Sequence, residues 1–421
     1  MDDREIPHHF ICPISLQIMK DPVTVVTGIT YDRECIKRWQ TRGQNNTCPV
    51  TNQPLPPSSD FTPNHNLRRL IESWCASQHV VPTSKQTCNL KVNKVIVLNL
   101  IKNLKQQESQ VDSLKSIEKI ASESEENRVL LKEVGVVKAM VMIIVSCYKN
   151  RTIVGLNEAL NVLYLVGFTQ DNATRSIINI VEHDRIIKML TWVLDLDNNN
   201  NCDDIDITTM KFHAIVLLKE IIQNAKSQVL ERLNRDFFKT IVLILQQMRK
   251  GNKLLEKGIK ESLHVMLTTC TWPRNCSMMI ESGAVFELVE LELTGSTEKG
   301  TTELIMGVLF HLCSTADGRA QLLGHAGGLA MITKRIGRVS PKVDERALMI
   351  ISLISKFSAN DGVLQEMMKV GTVEKLCMVL QVNGRDHSNT KDKARQILKR
   401  HSNVWKDSPC LDVTLLTRYL N

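Results

Sequence analysis

The residues with the most chemical potential in this 421-residue chain are its 12 cysteines and 11 histidines. Cys12, Cys35, Cys48 and Cys75 stand near the N-terminus beside His8, His9 and His65. Thiolates and imidazoles together could hold zinc, but structural zinc sites pair their ligands at close spacing. No C-x-x-C occurs in the chain, and the histidines complete no familiar pattern. The thiols therefore read as small buried hydrophobes, and neither metal nor cofactor is expected. The acidic run Asp195–Asp206 (DLDNNNNCDDID) lacks the spacing and closing glutamate of a calcium loop. It reads as a mobile polar loop. What remains near the N-terminus is a set of apolar side chains beside prolines: Ile14 and Leu16 after Pro13, Val50 after Pro49, and Trp39 between the two.

Those residues need elements to position them. Pro7 and Pro13 forbid a helix across the first stretch. It reads as an extended loop whose alternation puts Ile14 and Leu16 on one side of Ser15. Asp21 to Val26, a turn at Thr27-Gly28 and Ile29 to Tyr31 predict a short hairpin. Asp32 is placed to cap a helix over Arg33–Gln40, ended by Gly43, with Ile36 and Trp39 on one face. A second extended loop follows at Cys48-Pro49-Val50-Thr51. Asn64 then caps a helix whose Leu67, Leu70, Ile71 and Trp74 form one apolar stripe, with Arg68, Arg69 and Glu72 outside. Cys12, Val23, Tyr31 and Ile36 complete the expected core. So small a segment buries little and normally needs a staple.

The stretches ICPISLQIMKDPV, GITYDRECIKRW, CPVT and TPNHNLRRLI resemble the U-box of plant ubiquitin ligases, over essentially all of residues 6–78. The resemblance implies a small α+β, RING-like fold without zinc. Hydrogen bonds and ion pairs, drawn from Lys20, Asp21, Asp32, Arg33, Glu34, Lys37 and Arg38, would take the metal's place. It also implies that the chain carries no nucleophile or base. Such a domain binds a ubiquitin-charged conjugating enzyme and orients the thioester for attack by a substrate lysine. Matched onto this sequence, the docking residues are Ile14, Leu16, Trp39, Pro49 and Val50; core packing is the alternative for Ile14 and Leu16. Many members carry Arg or Lys shortly after the second loop's proline, bridging the enzyme and ubiquitin. Here that linchpin position is Asn52, which lacks the charge and the five-donor fork of arginine. Gln53 and Arg42 are nearby candidates to assist.

The remainder is a different kind of sequence. MDDREIPHHF has no apolar signal core, and no apolar run is long enough to span a bilayer. With unpaired cysteines, this suits a reducing cytoplasmic setting, with the nucleus also open. Lys+Arg and Asp+Glu balance from Met1 to Cys75, so the net charge of +8 lies beyond it. That mild excess allows an acidic partner or an anionic headgroup, while absent basic–aromatic interleaving argues against nucleic acid. Residues 79–92 read as a linker. From 93 to 402, ENRVLLKEVGVVKAMV, NCSMMIESGAVFELVEL, GRAQLLGHAGGLAMITK and NDGVLQEMMKVGTVEKLCMVL share one template: polar start, short helix, glycine, longer helix. Gly283, Gly327 and Gly371 are 44 apart, Gly135 is an earlier anchor, and glycine-free anchors are expected near His183-Asp184 and Asn234-Arg235. A period in the forties with three helices per unit resembles armadillo repeats, with HEAT as the near alternative. Six or seven repeats in a right-handed superhelix are expected. A basic helix over Lys391–Arg400 would cap them, with the tail 403–421 packed back through Leu411, Leu415, Leu416 and Leu420.

U-box, linker and armadillo repeats together resemble a plant ligase subfamily, many of whose members act in immune and stress signalling. The resemblance implies a conjugating enzyme and a groove-bound protein substrate as partners. It is also compatible with a homodimer formed through the U-box. Two other readings stay open: a non-catalytic scaffold with a weakened U-box, and a peptide carrier of the nuclear-import kind. The regular Trp–Asn ladder of the latter is missing, since Trp192 and Trp272 begin no W-x-x-x-N step.

Overall fold

A computed structural model of the protein describes residues 7–43, 47–55, 61–77, 94–104, 106–167, 180–196, 204–249, 253–294, 298–381 and 388–406. The expected linker, the acidic loop and the packing of the C-terminal tail fall mainly or wholly outside the described residues. The chain divides into two compact units, Met1–Leu100 and Ile101–Asn421.

In the first unit, Asp32 ties the fold together. Its Oδ2 accepts the backbone N–H groups of Lys20 (2.8 Å) and Asp21 (3.2 Å), and its Oδ1 accepts that of Glu34 (3.2 Å). One carboxylate thus caps helix α1 (Arg33–Gly43) and fastens the preceding loop. Strands β1 (Pro22–Thr24) and β2 (Thr30–Asp32) form the expected hairpin, with Val23 opposite Tyr31. A third strand, β3 (Thr62–Pro63), pairs with the other edge of β1. Two residues carry too little pattern to announce a strand. Asn64 caps α2 (His65–Ser77), its Oδ1 accepting the N–H of Leu67 at 3.1 Å.

Cys12, Val23, Tyr31, Ile36 and Cys48 are fully buried, Ile71 nearly so, and Leu67 and Trp74 pack against them. Leu70 does not join this core: it is 57% exposed. At about 100° per residue it lies about 100° around α2 from Ile71, beyond the edge of the inward stripe.

The second unit is helical. It begins within α3 (Lys94–Asn103), whose residues up to Leu100 belong to the first unit, and continues with α4 (Gln107–Glu123), α5 (Glu125–Val134), α6 (Val136–Asn150) and α7 (Leu156–Val166). Next are α8 (Ile180–Leu194), α9 (Asp204–Asn224), α10 (Ser227–Leu230), α11 (Arg235–Arg249) and α12 (Lys253–Thr269). Then follow α13 (Pro273–Glu281), α14 (Ala284–Leu293), α15 (Lys299–Cys313), α16 (Ala316–Gly324), α17 (Gly328–Arg335) and α18 (Pro341–Phe357). The last are α19 (Asp361–Lys369), α20 (Thr372–Gln381), α21 (Ser388–Arg400) and α22 (Ser402–Lys406).

The template's polar start is a helix cap: Ser124, Thr315 and Asn360 each accept a backbone N–H three residues on. Its glycine is a left-handed junction at Gly135 (φ 88), Gly283 (φ 84) and Gly371 (φ 77). Gly327 differs, with φ −103; there His325 Nδ1 accepts the glycine's N–H at 3.1 Å and sets the corner. Asn234 caps α11 as its anchor role requires. The expected junction near His183-Asp184 is not one, because α8 runs continuously through it.

Helices α4, α7, α9, α12, α15, α18 and α21 stack in succession as one ladder. In α18, Val343, Ala347, Leu348, Ile350, Ile351 and Ile354 are buried. In α15, Thr301, Ile305, Met306, Val308, Leu309 and Leu312 repeat that pattern. These two ladder helices therefore bury two faces and leave one stripe open. Polar ties cross between repeats, among them Arg335 to the fully buried Glu292 (2.5 Å) and Thr333 to Thr372 (2.8 Å).

Candidate functional site

The proline-marked loops of the first unit are two copies of one device. Cys-Pro-x-(Ser/Thr)-x-Gln occurs at 12–17 and again at 48–53. In the first copy, Cys12 N–H donates to Gln17 O (2.8 Å) and Leu16 N–H to Cys12 O (2.7 Å). In the second, Cys48 N–H donates to Gln53 O (2.8 Å) and Asn52 N–H to Cys48 O (2.9 Å). The flanks pair as well, Ile11 with Ile18 and Thr47 with Pro54. The fifth residue of each copy is left-handed: Leu16 at φ 54 and Asn52 at φ 57. The loops are therefore tight turns, not the extended segments expected. The repeated hexad was the legible signal for this.

The turns decide what is presented. Ser15 is buried, Ile14 is half-buried against the core, and Leu16 is 75% exposed. In the second turn Pro49 is half-buried, while Val50 (54%) and Asn52 are exposed. Trp39 is half-buried, and its Nε1–H donates to Thr47 O at 3.0 Å, which fastens α1 to the second turn. The five residues matched to docking thus sit on two like turns and the helix tied to one of them. Asparagine is among the residues best suited to the left-handed region; leucine is not. Leu16 is held there by the two hydrogen bonds that close its turn.

A sulfur anchors each turn. Cys12 Sγ accepts the N–H of Asp32 at 3.3 Å; Cys48 Sγ meets the Tyr31 hydroxyl at 3.0 Å and accepts Thr27 Oγ1–H at 3.3 Å. A hydrogen bond from Cys35, aided by backbone N–H groups and opposed by burial, lowers the Cys12 thiol to about 5. Burial raises the Cys48 thiol, but hydrogen bonds from Thr27, Thr51 and Tyr31 outweigh it and bring it to about 6. Burial pushes the Tyr31 phenol up. Among the described residues no group of three or more His, Cys, Asp or Glu could hold a metal ion. Hydrogen bonds to the two sulfurs, the Asp32 carboxylate and the Arg33–Asp21 ion pair (2.6 Å) supply the staple so small a unit needs. Arg38 pairs with Glu34 at the surface (3.4 Å), and Lys37 is exposed.

Comparison with known proteins places both units. The family profile described as "U-box domain" matches residues 6–80, and that described as "Plant U-box protein ARM repeat region" matches residues 96–421. The chain belongs to the plant U-box proteins with armadillo repeats. Among curated relatives, the Arabidopsis thaliana "E3 ubiquitin-protein ligase PUB24" is 40% identical, covering 100% of this chain and 97% of its own. "E3 ubiquitin-protein ligase PUB23" of the same plant is 36% identical, covering 100% and 98%. A solved designed armadillo repeat protein overlays 72% of this chain and 99% of its own, at 14% identity and TM-score 0.38.

Proposed function

We propose that Ile14, Leu16, Trp39, Pro49 and Val50 receive a ubiquitin-charged conjugating enzyme. The chain is a U-box ubiquitin-protein ligase, and its armadillo repeats bind the protein substrate. No residue of the chain forms a covalent intermediate with ubiquitin during the transfer. The turns hold the bound enzyme so that its thioester meets a substrate lysine, which is catalysis by orientation. The observation that carries this reading is the pair of matched turns, each lifting one left-handed residue, Leu16 or Asn52, clear of a buried sulfur. Residues so displayed contribute nothing to the core, which supports a partner for them.

In the same reading the U-box extends over 6–78, the linker over 79–92, the repeats over 93–402 and the tail over 403–421. Asn52 takes the linchpin position with a neutral amide. The protein acts in the cytoplasm, with the nucleus open to it as well, in plant immune or stress signalling, and the U-box supports a homodimer. The test is reconstitution with activating enzyme, a panel of conjugating enzymes, ubiquitin and ATP. A ubiquitin ladder that disappears in Ile14→Ala, with circular dichroism unchanged, supports the assignment. No ladder with any enzyme favours the scaffold alternative.

A further inference from the structure

Glycine weakens a helix interior, yet Gly307 sits in the middle of α15 and is buried. What covers it is Arg346, from the next ladder helix, α18. A Cβ at position 307 would lie 2.8 Å from Arg346 Nη1, 3.0 Å from its Cζ and 3.2 Å from Leu267 Cδ1 of α12. The guanidinium therefore lies across α15 toward α12, on the open stripe of the ladder. Arg346 is only half-buried there.

Most of its donors meet no acceptor among the described residues. Nη1–H donates to the backbone oxygen of Glu303. The Glu303 carboxylate itself is engaged elsewhere, accepting Ser340 Oγ–H at 2.8 Å and facing Lys342 Nζ at 3.8 Å. Among the described residues no carboxylate lies in ion-pair range of Arg346. Phe310 and His311 follow Gly307 by three and four residues; Met349 and Leu353 follow Arg346 by three and seven. All four are half-buried and share the stripe. Burial, and then the Arg346 charge, lower the His311 pKa, so the ring beside the arginine is held toward its neutral form.

We propose that Arg346, seated on Gly307, reads a carboxylate in the bound substrate. The segment recognised carries an Asp or Glu next to an apolar residue. Its carboxylate accepts the open guanidinium N–H groups, and the apolar neighbour packs among Phe310, Met349 and Leu353. A half-buried arginine without a carboxylate of its own is a natural partner for a planar anion. This rests on the reading that the repeats bind substrate, and the experiment separates the two.

The full-length chain is used to select from a displayed library of random 12-residue peptides. Selected peptides are then synthesised and titrated, each with its acidic residue intact, changed to Gln, or replaced by phosphoserine. The proposal expects enrichment of acidic–apolar pairs, lost in Arg346→Gln and converted to a basic preference in Arg346→Glu. It expects about 10- to 100-fold weaker binding to Arg346→Gln. Gly307→Ala, which keeps the charge but displaces it, should weaken the same peptides selectively, with helicity by circular dichroism unchanged. Peptides that bind, are lost with Leu353→Ala, but ignore Arg346→Gln overturn the proposal and leave substrate binding standing. A phosphoserine peptide at least tenfold tighter than its Glu counterpart, dependent on Arg346, overturns the carboxylate in favour of phosphate. No enrichment, or enrichment indifferent to both ladder substitutions, overturns the underlying reading as well.

Discussion

Leu16→Gly should weaken docking without weakening the fold. Leu16 is 75% exposed and left-handed at φ 54. Full burial of a leucine side chain is worth about 1.5–3 kcal/mol. With three-quarters of it still open to bury, its removal should cost about 1–2 kcal/mol of docking, or about 5- to 30-fold in Kd. The unit itself loses almost no packing. Glycine adopts the left-handed region freely where leucine is strained by about 1 kcal/mol, offset in part by the greater freedom of the unfolded glycine. Tm should therefore stay level or rise. The assay is a calorimetric titration of a conjugating enzyme into both proteins, beside thermal unfolding of each. Unchanged Kd would refute the docking role of Leu16. Weaker docking with a lower Tm would show that Leu16 holds its turn together and presents nothing.

Asn52→Arg should raise ubiquitin discharge and lower stability by about 0.5–1 kcal/mol, because arginine suits φ 57 less well than asparagine; discharge assays and thermal melts check the two, and no gain in discharge would sink the linchpin role. His213 is buried, stacked at 4.6 Å on Tyr164, and burial lowers its pKa from 6.5 to about 4. A folded pKa below the unfolded one stabilises fully above pH 6.5, and that contribution is lost as pH falls toward 4; it amounts to about 3 kcal/mol. Urea unfolding from pH 7 to pH 4 should thus fall more steeply for the native chain than for His213→Phe. Glu292 is fully buried against Arg335, and Thr302 Oγ1–H donates to it at 3.1 Å. Glu292→Ala should cost about 3–5 kcal/mol in urea unfolding by stranding that arginine, and Glu292→Gln less.

Much of this was legible because the physics was local. Asp32 and Asn64 announced two helix starts, and Gly283 and Gly371 announced two left-handed junctions. Leu70 misled because a stripe read at i, i+3, i+4 and i+7 has edges, and only packing decides which edge faces in. The turns at Leu16 and Asn52 were read as extended because backbone hydrogen bonds, not side-chain pattern, close them. Strand β3 was invisible because two residues pair only once β1 exists beside them. At Gly327 a histidine ring sets the corner, a role no glycine spacing reveals. Arg346 was beyond reach: that it lies over Gly307, 39 residues earlier, is a fact of the ladder alone.

The most direct test follows ubiquitin leaving a preloaded conjugating enzyme onto free lysine in a single turnover, with the native chain, Leu16→Gly and Ile14→Ala. Orientation by the two turns predicts faster discharge with the native chain, loss of that acceleration in both variants, and no ubiquitin attached to any cysteine of this chain. Equal discharge with and without the protein, or a thiol-sensitive ubiquitin adduct on it, would contradict that account.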